Sequence, residues 1–231
     1  MIQETFNDHT GKSADKWSSY LDVYEKVLQP YLDKPVNILE VGIANGGSLD
    51  FWAALFPEGK IVGVDIDPEC GTLKYDNPRI SVVIGDVTDP ETNQKVQDIC
   101  DSFDIIIDDG SHLVKDVIKT FADYFPLLGN NSLYIAEDLH TSYWTNFGGG
   151  LRIPMTSMGF FKQLCDIVNY EHWRLGIPRR YLLRYYESFI QQEFDEAELA
   201  TIHSVLFHNS MVVIERCNSE RNELGPRVIR G

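Results

Sequence analysis

The chain has 231 residues, 43% of them hydrophobic, with 35 acidic against 20 basic side chains and a formal net charge of −15. That length holds one large α/β domain or two small ones, and that hydrophobic share excludes global disorder. So acidic a chain repels phosphate backbones and anionic bilayers, which argues against nucleic acid and membranes as partners.

The first fourteen residues are polar and predict a loose segment. Over 15–32, Trp17, Tyr20, Leu21, Tyr24, Val27, Leu28 and Tyr31 recur at helical spacing, with Pro30 near the end. A strand-helix alternation follows. "VNILEVG" predicts a strand ending in a glycine turn, and "SLDFWAALF" a helix. "KIVGVDID" and "RISVVIGDV" predict the second and third strands, "PETNQKVQDIC" a polar helix and "FDIIIDDG" the fourth strand. "VKDVIKTFADYFPLL" predicts a helix and "NSLYIAED" the fifth strand. This pitch implies a parallel sheet with helices on both faces, and the Ile- and Val-rich strands fit burial on both sides.

The stretch "LHTSYWTNFGGGLRIP" breaks the pattern and predicts a mobile element over a site. A helical segment around 156–173 comes next. Arg174 to Arg184 is the one basic run and reads as a solvated face or an interface. "IHSVLFHNSMVVIERC" predicts an antiparallel hairpin around His208-Asn209. The four cysteines are widely spaced and form no C-x-x-C pair, which fits reduced thiols in a cytoplasmic protein. No signal peptide and no transmembrane run is expected.

Chemistry concentrates at strand ends. "ILEVGIANGGSLDFW" puts Glu40 near a strand end and Gly42, Gly46 and Gly47 in the turn before a helix. Glycines let backbone approach a ligand closely. The pattern is neither the dinucleotide fingerprint nor a Walker loop, so by itself it fits a tight turn as well as a nucleotide site. Asp65 ends the second strand, about 20 residues beyond the turn, where an acid accepts ribose hydroxyls. Asp86 ends the third, where a side chain reaches an adenine edge. Together they point to an adenosine-type ligand. Asn45, Ser48 and Asp108 are further candidates for holding it.

This combination resembles the class I S-adenosylmethionine-dependent methyltransferases. The resemblance implies a Rossmann-like, doubly wound, seven-stranded sheet, mostly parallel, whose C-terminal strand is antiparallel. It also implies that Glu40 and the Gly42–Gly47 turn hold the methionine part, Asp65 the ribose and Asp86 the adenine.

Neighbouring strands four and five end in Asp108-Asp109 and Glu137-Asp138. Unpaired, these carboxylates repel; a hard divalent cation such as Mg²⁺ relieves the repulsion. His112, three residues past Asp109, is a candidate general base for a hydroxyl. "DDGSH", then "EDLHTSYW", with "DKW" and "YE" upstream, resembles the macrocin and mycinamicin sugar O-methyltransferases, and is similar to the cephalosporin hydroxylase-like branch of the same fold. The resemblance implies Mg²⁺ on Asp109 and Asp138, with Glu25 or Glu137 as a further ligand, and His112 as base. It implies a small-molecule acceptor, a sugar or glycosylated metabolite; the aromatic loop after Asp138 fits such a ring-shaped acceptor, with His140, Tyr143 and Trp144 as candidates to meet it, and fits ordinary loop anchoring equally well.

The expected activity is therefore Mg²⁺-dependent methyl transfer to a sugar hydroxyl. An oxygenase-type enzyme and a non-catalytic adenosyl-binding module are the alternatives. We expect a single domain over 1–231: an N-terminal helical extension 1–34, a core 35–217 carrying an active-site loop and helical insertion 138–186, and a tail 218–231. Apolar surface on the N-terminal helix and on Phe160 to Tyr186 is available for a homo-oligomer.

Overall fold

The computed structural model describes residues 1–230. In chain order its elements are α1 (Ile2–Asn7), α2 (Ser18–Val27), β1 (Asn37–Val41), α3 (Gly47–Leu55), β2 (Lys60–Asp65), β3 (Ile80–Ile84), α4 (Pro90–Ile99), β4 (Phe103–Asp108), α5 (Val114–Tyr124), β5 (Leu128–Ala136), α6 (Ser157–Val168), α7 (Arg184–Ile190), α8 (Glu196–Leu199), β6 (Ile202–His208) and β7 (Met211–Arg216).

The seven strands form one sheet in the order β3-β2-β1-β4-β5-β7-β6. Neighbours from β3 to β5 are parallel, while β7 runs antiparallel to both β5 and β6. The expected hairpin therefore exists, with its turn at Asn209-Ser210. Strand residues alternate between two cores, because successive side chains leave opposite faces of a pleated strand. Leu39, Val41, Ile106 and Tyr134 pack with α4, α5, α6 and α7. Ile38, Ile105, Ile107 and Ile135 pack with α1, α2 and α3. Helix starts follow their local chemistry: Asp89 caps α4 ahead of Pro90, and Thr156 caps α6 through the Gly159 amide.

Two expectations need correction. The first fourteen residues are not loose: Ile2 is fully buried against the α2–α3 face, and Lys12–Ser13 lie on Gly47, whose missing Cβ would sit 2.4 Å from the Lys12 carbonyl oxygen. The apolar surface expected between subunits is largely used inside the chain. Tyr20 and Tyr24 of α2, and Phe160, Phe161, Leu164, Leu183 and Tyr186, are buried in its own cores. Among the described residues no helix is long and apolar enough to cross a membrane.

Candidate active site

The glycine turn is stitched between its neighbours. The Gly42 amide donates to the Val64 carbonyl (2.8 Å), and the Asp109 amide donates to Val41 (2.9 Å). Gly42 has φ +83°, and a Cβ there would lie 2.2 Å from the Asp109 carbonyl oxygen. Only glycine satisfies both constraints. Asp65 holds the turn from the second strand: its Oδ2 accepts from the Ile43 and Ala44 amides at 2.9 and 3.0 Å, its Oδ1 from the Asp67 amide at 2.9 Å. A carboxylate offers about four acceptor positions, so one remains for a hydroxyl. Asp86 uses Oδ1 on the Thr88 amide and hydroxyl, both at 2.8 Å.

A cleft of about 820 Å³ opens over these strand ends. Gly42, Asn45, Ser48, Asp65, Asp86, Asp109, His112, Glu137 and Asp138 line it, and so does the Ser13–Trp17 segment. Ile66, 69% exposed on the cleft wall, offers an apolar face of the kind a planar base covers. Three expected cofactor residues lie elsewhere. Glu40 is fully buried below the cleft, where Oε2 accepts from Ser48 Oγ (2.6 Å); burial raises its pKa, with Lys16 opposing. Gly46 sits behind the turn against Tyr75, with φ +74°. Asp108 faces the opposite core, accepting from Tyr134 Oη (3.1 Å), and burial pushes its carboxyl up to about 7. Adjacent strand residues leave opposite faces, so Asp108 and Asp109 cannot share a site.

Lys16, the middle residue of "DKW", is the cation under this edge, a role the motif by itself does not assign. Its ammonium lies 2.6 Å from Asp109 Oδ2, 3.0 Å from Glu137 Oε1 and 3.4 Å from Glu40 Oε1, with its side chain only 2% exposed. Burial alone would lower its pKa; the attraction of Glu137, Glu40 and Asp109 outweighs that and raises it. Glu137 is also taken by the Tyr24 hydroxyl, and burial pushes it to about 8 against the pull of Lys16.

Asp109, His112 and Asp138 stand apart as the group that offers free atoms. Their ligand atoms lie within 4.8 Å of one another, and each side chain is partly exposed. The protein occupies one oxygen of each acid: Lys16 holds Asp109 Oδ2, while Trp17 Nε1 (3.0 Å) and Tyr20 Oη (2.7 Å) donate to Asp138 Oδ1. The other oxygens, Asp109 Oδ1 and Asp138 Oδ2, face His112 Nε2 at 3.9 and 3.7 Å. Two carboxylate oxygens left over beside an imidazole, with room for water, fit a hard divalent cation. His112 and Asp138 both have left-handed backbone, φ +58° and +53°, a strain that clusters at functional sites.

Glu25 is not brought to this group. Its carboxylate accepts from the Ile2 amide (2.7 Å) and pairs with the Met1 ammonium (3.2 Å), at the start of α1 where helical N–H groups lack partners. The loop after Asp138 is tied down in its first half: Leu139, Thr141 and Ser142 are buried, and the Leu139 amide donates to Ser210. That leaves an aromatic wall beside the acids. Trp17 meets His140 edge-on at 6.2 Å between ring centres, and His140 meets Trp144 at 4.8 Å. Trp17, Trp144 and Tyr143 are 61%, 48% and 45% exposed.

Sheet order and cleft together define a Rossmann-like methyltransferase fold. The chain belongs to the Rhamnosyl O-methyltransferase/CmcI family, whose model matches residues 21–143. It is 34% identical over 219 residues to the 8-demethyl-8-alpha-L-rhamnosyl tetracenomycin-C 2'-O-methyltransferase of Streptomyces olivaceus, covering 89% of this chain and 53% of that one. It is 35% identical over 158 residues to the Mycinamicin VI 2''-O-methyltransferase of Micromonospora griseorubida, covering 64% and 39%. Among solved structures, the MycE methyltransferase of the mycinamycin biosynthetic pathway, in complex with Mg and SAH, superposes with a TM-score of 0.79 at 25% identity over 100% of this chain and 58% of that one. The chain thus spans about half the length of the curated relatives it matches.

Proposed function

We propose that the protein methylates a hydroxyl of a sugar or glycosylated natural product, using S-adenosylmethionine and Mg²⁺. The observation that carries this is the pair of free oxygens, Asp109 Oδ1 and Asp138 Oδ2, converging on His112 Nε2 at the cleft mouth. The relatives' names support it: one acts on a rhamnosyl group, and MycE was solved with Mg, SAH and mycinamycin VI.

In this reading the turn from Gly42 to Asn45 and Ser48 holds the methionine end, Asp65 the ribose, and Asp86 with Ile66 the adenine. Asp109 and Asp138 hold the cation, and Glu137, committed to Lys16 and Tyr24, stays out of its shell. When bound, the sulfonium supplies an activated methyl group and the cation makes the acceptor hydroxyl more acidic. His112 Nε2 takes the hydroxyl proton. Trp17, His140, Tyr143 and Trp144 give the acceptor an apolar wall and exclude water from that side. An oxygenase-type reading has less support, because the group has one histidine with two carboxylates, not the two-histidine, one-carboxylate iron set.

The test is calorimetry with S-adenosylmethionine and SAH, with Mg²⁺ and with chelator, and NAD as control. His112→Ala should retain SAH binding and lose methyl transfer to a rhamnoside probe. Absence of adenosyl-ligand binding under every metal condition would refute the proposal, and full activity in the variant would remove His112 from the mechanism.

A further inference from the structure

A second group of ligating side chains lies at the far edge of the sheet. A ring nitrogen of His203, a carboxylate oxygen of Glu215 and Sγ of Cys217 lie within 4.8 Å of one another. The site sits where the β5–β7 ladder begins, Ser132 opposite Arg216, while the cleft opens beyond the C-terminal end of β5 at Glu137 and Asp138. It therefore serves neither the adenosyl ligand nor the acceptor.

Local structure aims all three side chains. Glu215 and Cys217 are two apart on β7 and its extension, so both leave the same face. His203 is the extra residue where the β6–β7 register slips between Ile202 and Ser204. Such a bulge redirects a side chain. The imidazole is also fixed. Asn222 Nδ2 donates to the Ala200 and Ile202 carbonyls at 2.7 and 3.2 Å, which turns Asn222 Oδ1 toward His203 Nδ1 at 2.7 Å. An amide oxygen cannot donate, so Nδ1 carries the proton and Nε2 keeps its lone pair. Among the described residues Nε2 has no hydrogen-bond partner in the protein, and Glu215 has no Lys or Arg counter-ion within ion-pair distance. Glu215 has one weak donor, Ser204 Oγ at 3.3 Å.

We propose that His203, Glu215 and Cys217 bind a Zn²⁺ ion. Nitrogen, oxygen and sulfur donors together suit zinc and not magnesium, and a histidine whose second nitrogen is held by a neighbouring oxygen is the usual arrangement of a zinc ligand. Tetrahedral ligation needs donors about 3.4–3.6 Å apart. With His203 fixed by Asn222, the partly exposed Glu215 side chain would swing in to close the remaining gap, and water would take the fourth position. Cys217 is fully buried, which rules it out as a nucleophile, and it ligates as a thiolate, losing its proton to solvent. Through Asn222 the ion would fasten the short turn at Ser219–Asn222 to the edge strand.

Titration of the reduced, chelator-treated chain with Co²⁺ tests this, with excess Mg²⁺ present to occupy the Asp109–Asp138 group. A thiolate-to-cobalt charge-transfer band is expected, saturating at one equivalent and displaced by Zn²⁺. Cys217→Ser should abolish the band. Asn222→Leu, which frees the imidazole without removing a ligand, should weaken Co²⁺ binding by about tenfold or more. Thermal melting followed by circular dichroism reports whether each variant is folded, independently of the proposed function. No band in the unsubstituted chain, or a band that survives in folded Cys217→Ser, overturns the proposal.

Discussion

Lys16→Met is the sharpest test of how the candidate site is held together. The substitution keeps the stem and removes the ammonium from among Glu40, Asp109 and Glu137, where the Lys16, Glu40 and Glu137 side chains are 2%, 0% and 2% exposed. Breaking a buried ion pair from one side costs about 3–5 kcal/mol, because the remaining charge has no solvent to turn to. Each kcal/mol moves Tm by about 2–4 °C in a domain of this size, so Tm should fall by about 6–20 °C. Protonation of Glu137, already pushed to about 8, holds the loss toward the lower figure. The assay is thermal denaturation followed by circular dichroism in chelator, so that no metal contributes. Lys16→Met combined with Glu137→Gln should recover part of the loss, since the amide is neutral without the proton that Glu137 must take up on folding. A Tm within about 2 °C of the parent, or a double variant no better than the single one, would refute the electrostatic account of this edge.

Further predictions concern single contacts. Gly42→Ala should lose SAH binding and unfold at lower temperature, because its methyl would collide with the Asp109 carbonyl at 2.2 Å; unchanged SAH affinity by calorimetry would contradict that packing. Trp17→Ala should raise KM for a rhamnoside probe about tenfold with kcat held within a few-fold, and an unchanged KM would remove Trp17 from the acceptor wall. Asp138→Asn should weaken Mn²⁺ binding, read by electron paramagnetic resonance, while leaving SAH affinity intact, because Asp138 groups with Asp109 and His112 and makes no hydrogen bond to the glycine turn or Asp65. Thr156→Ala removes the α6 cap to the Gly159 amide and should cost about 1 kcal/mol in denaturant unfolding without changing ligand affinity.

The strands were legible because buried parallel strands are written as short runs of Ile and Val, and the acids mattered because they end those runs. Asp109, His112 and Asp138 could be found that way, each lying just past a strand. Lys16, Trp17 and Tyr20 could not. Trp17 and Tyr20 share the helical spacing of 15–32 and Lys16 sits in "DKW", but neither pattern says that these side chains meet Asp109 and Asp138, which they do only through tertiary packing against residues far along the chain. Pattern also misleads about direction. Asp108 and Asp109 look like one acidic patch in the sequence, yet the pleat sends one to Tyr134 and the other to the cleft. Glu25 stands in the sequence as a candidate metal ligand, and its actual partners, the amides at the start of α1, became visible only with the fold.

The aromatic wall is assembled from two separate pieces of chain, Trp17 from the segment before α2 and His140, Tyr143 and Trp144 from the stretch after β5, whereas the adenosyl cleft is built on the strand ends themselves. On the proposed function, acceptor scope and cofactor use are thus separable by protein engineering. Grafting 139–153 from another family member would transplant acceptor preference without disturbing the glycine turn, provided residue 17 travels with the graft. Its neighbour Lys16 must stay behind, since that side chain belongs to the scaffold and not to the cargo.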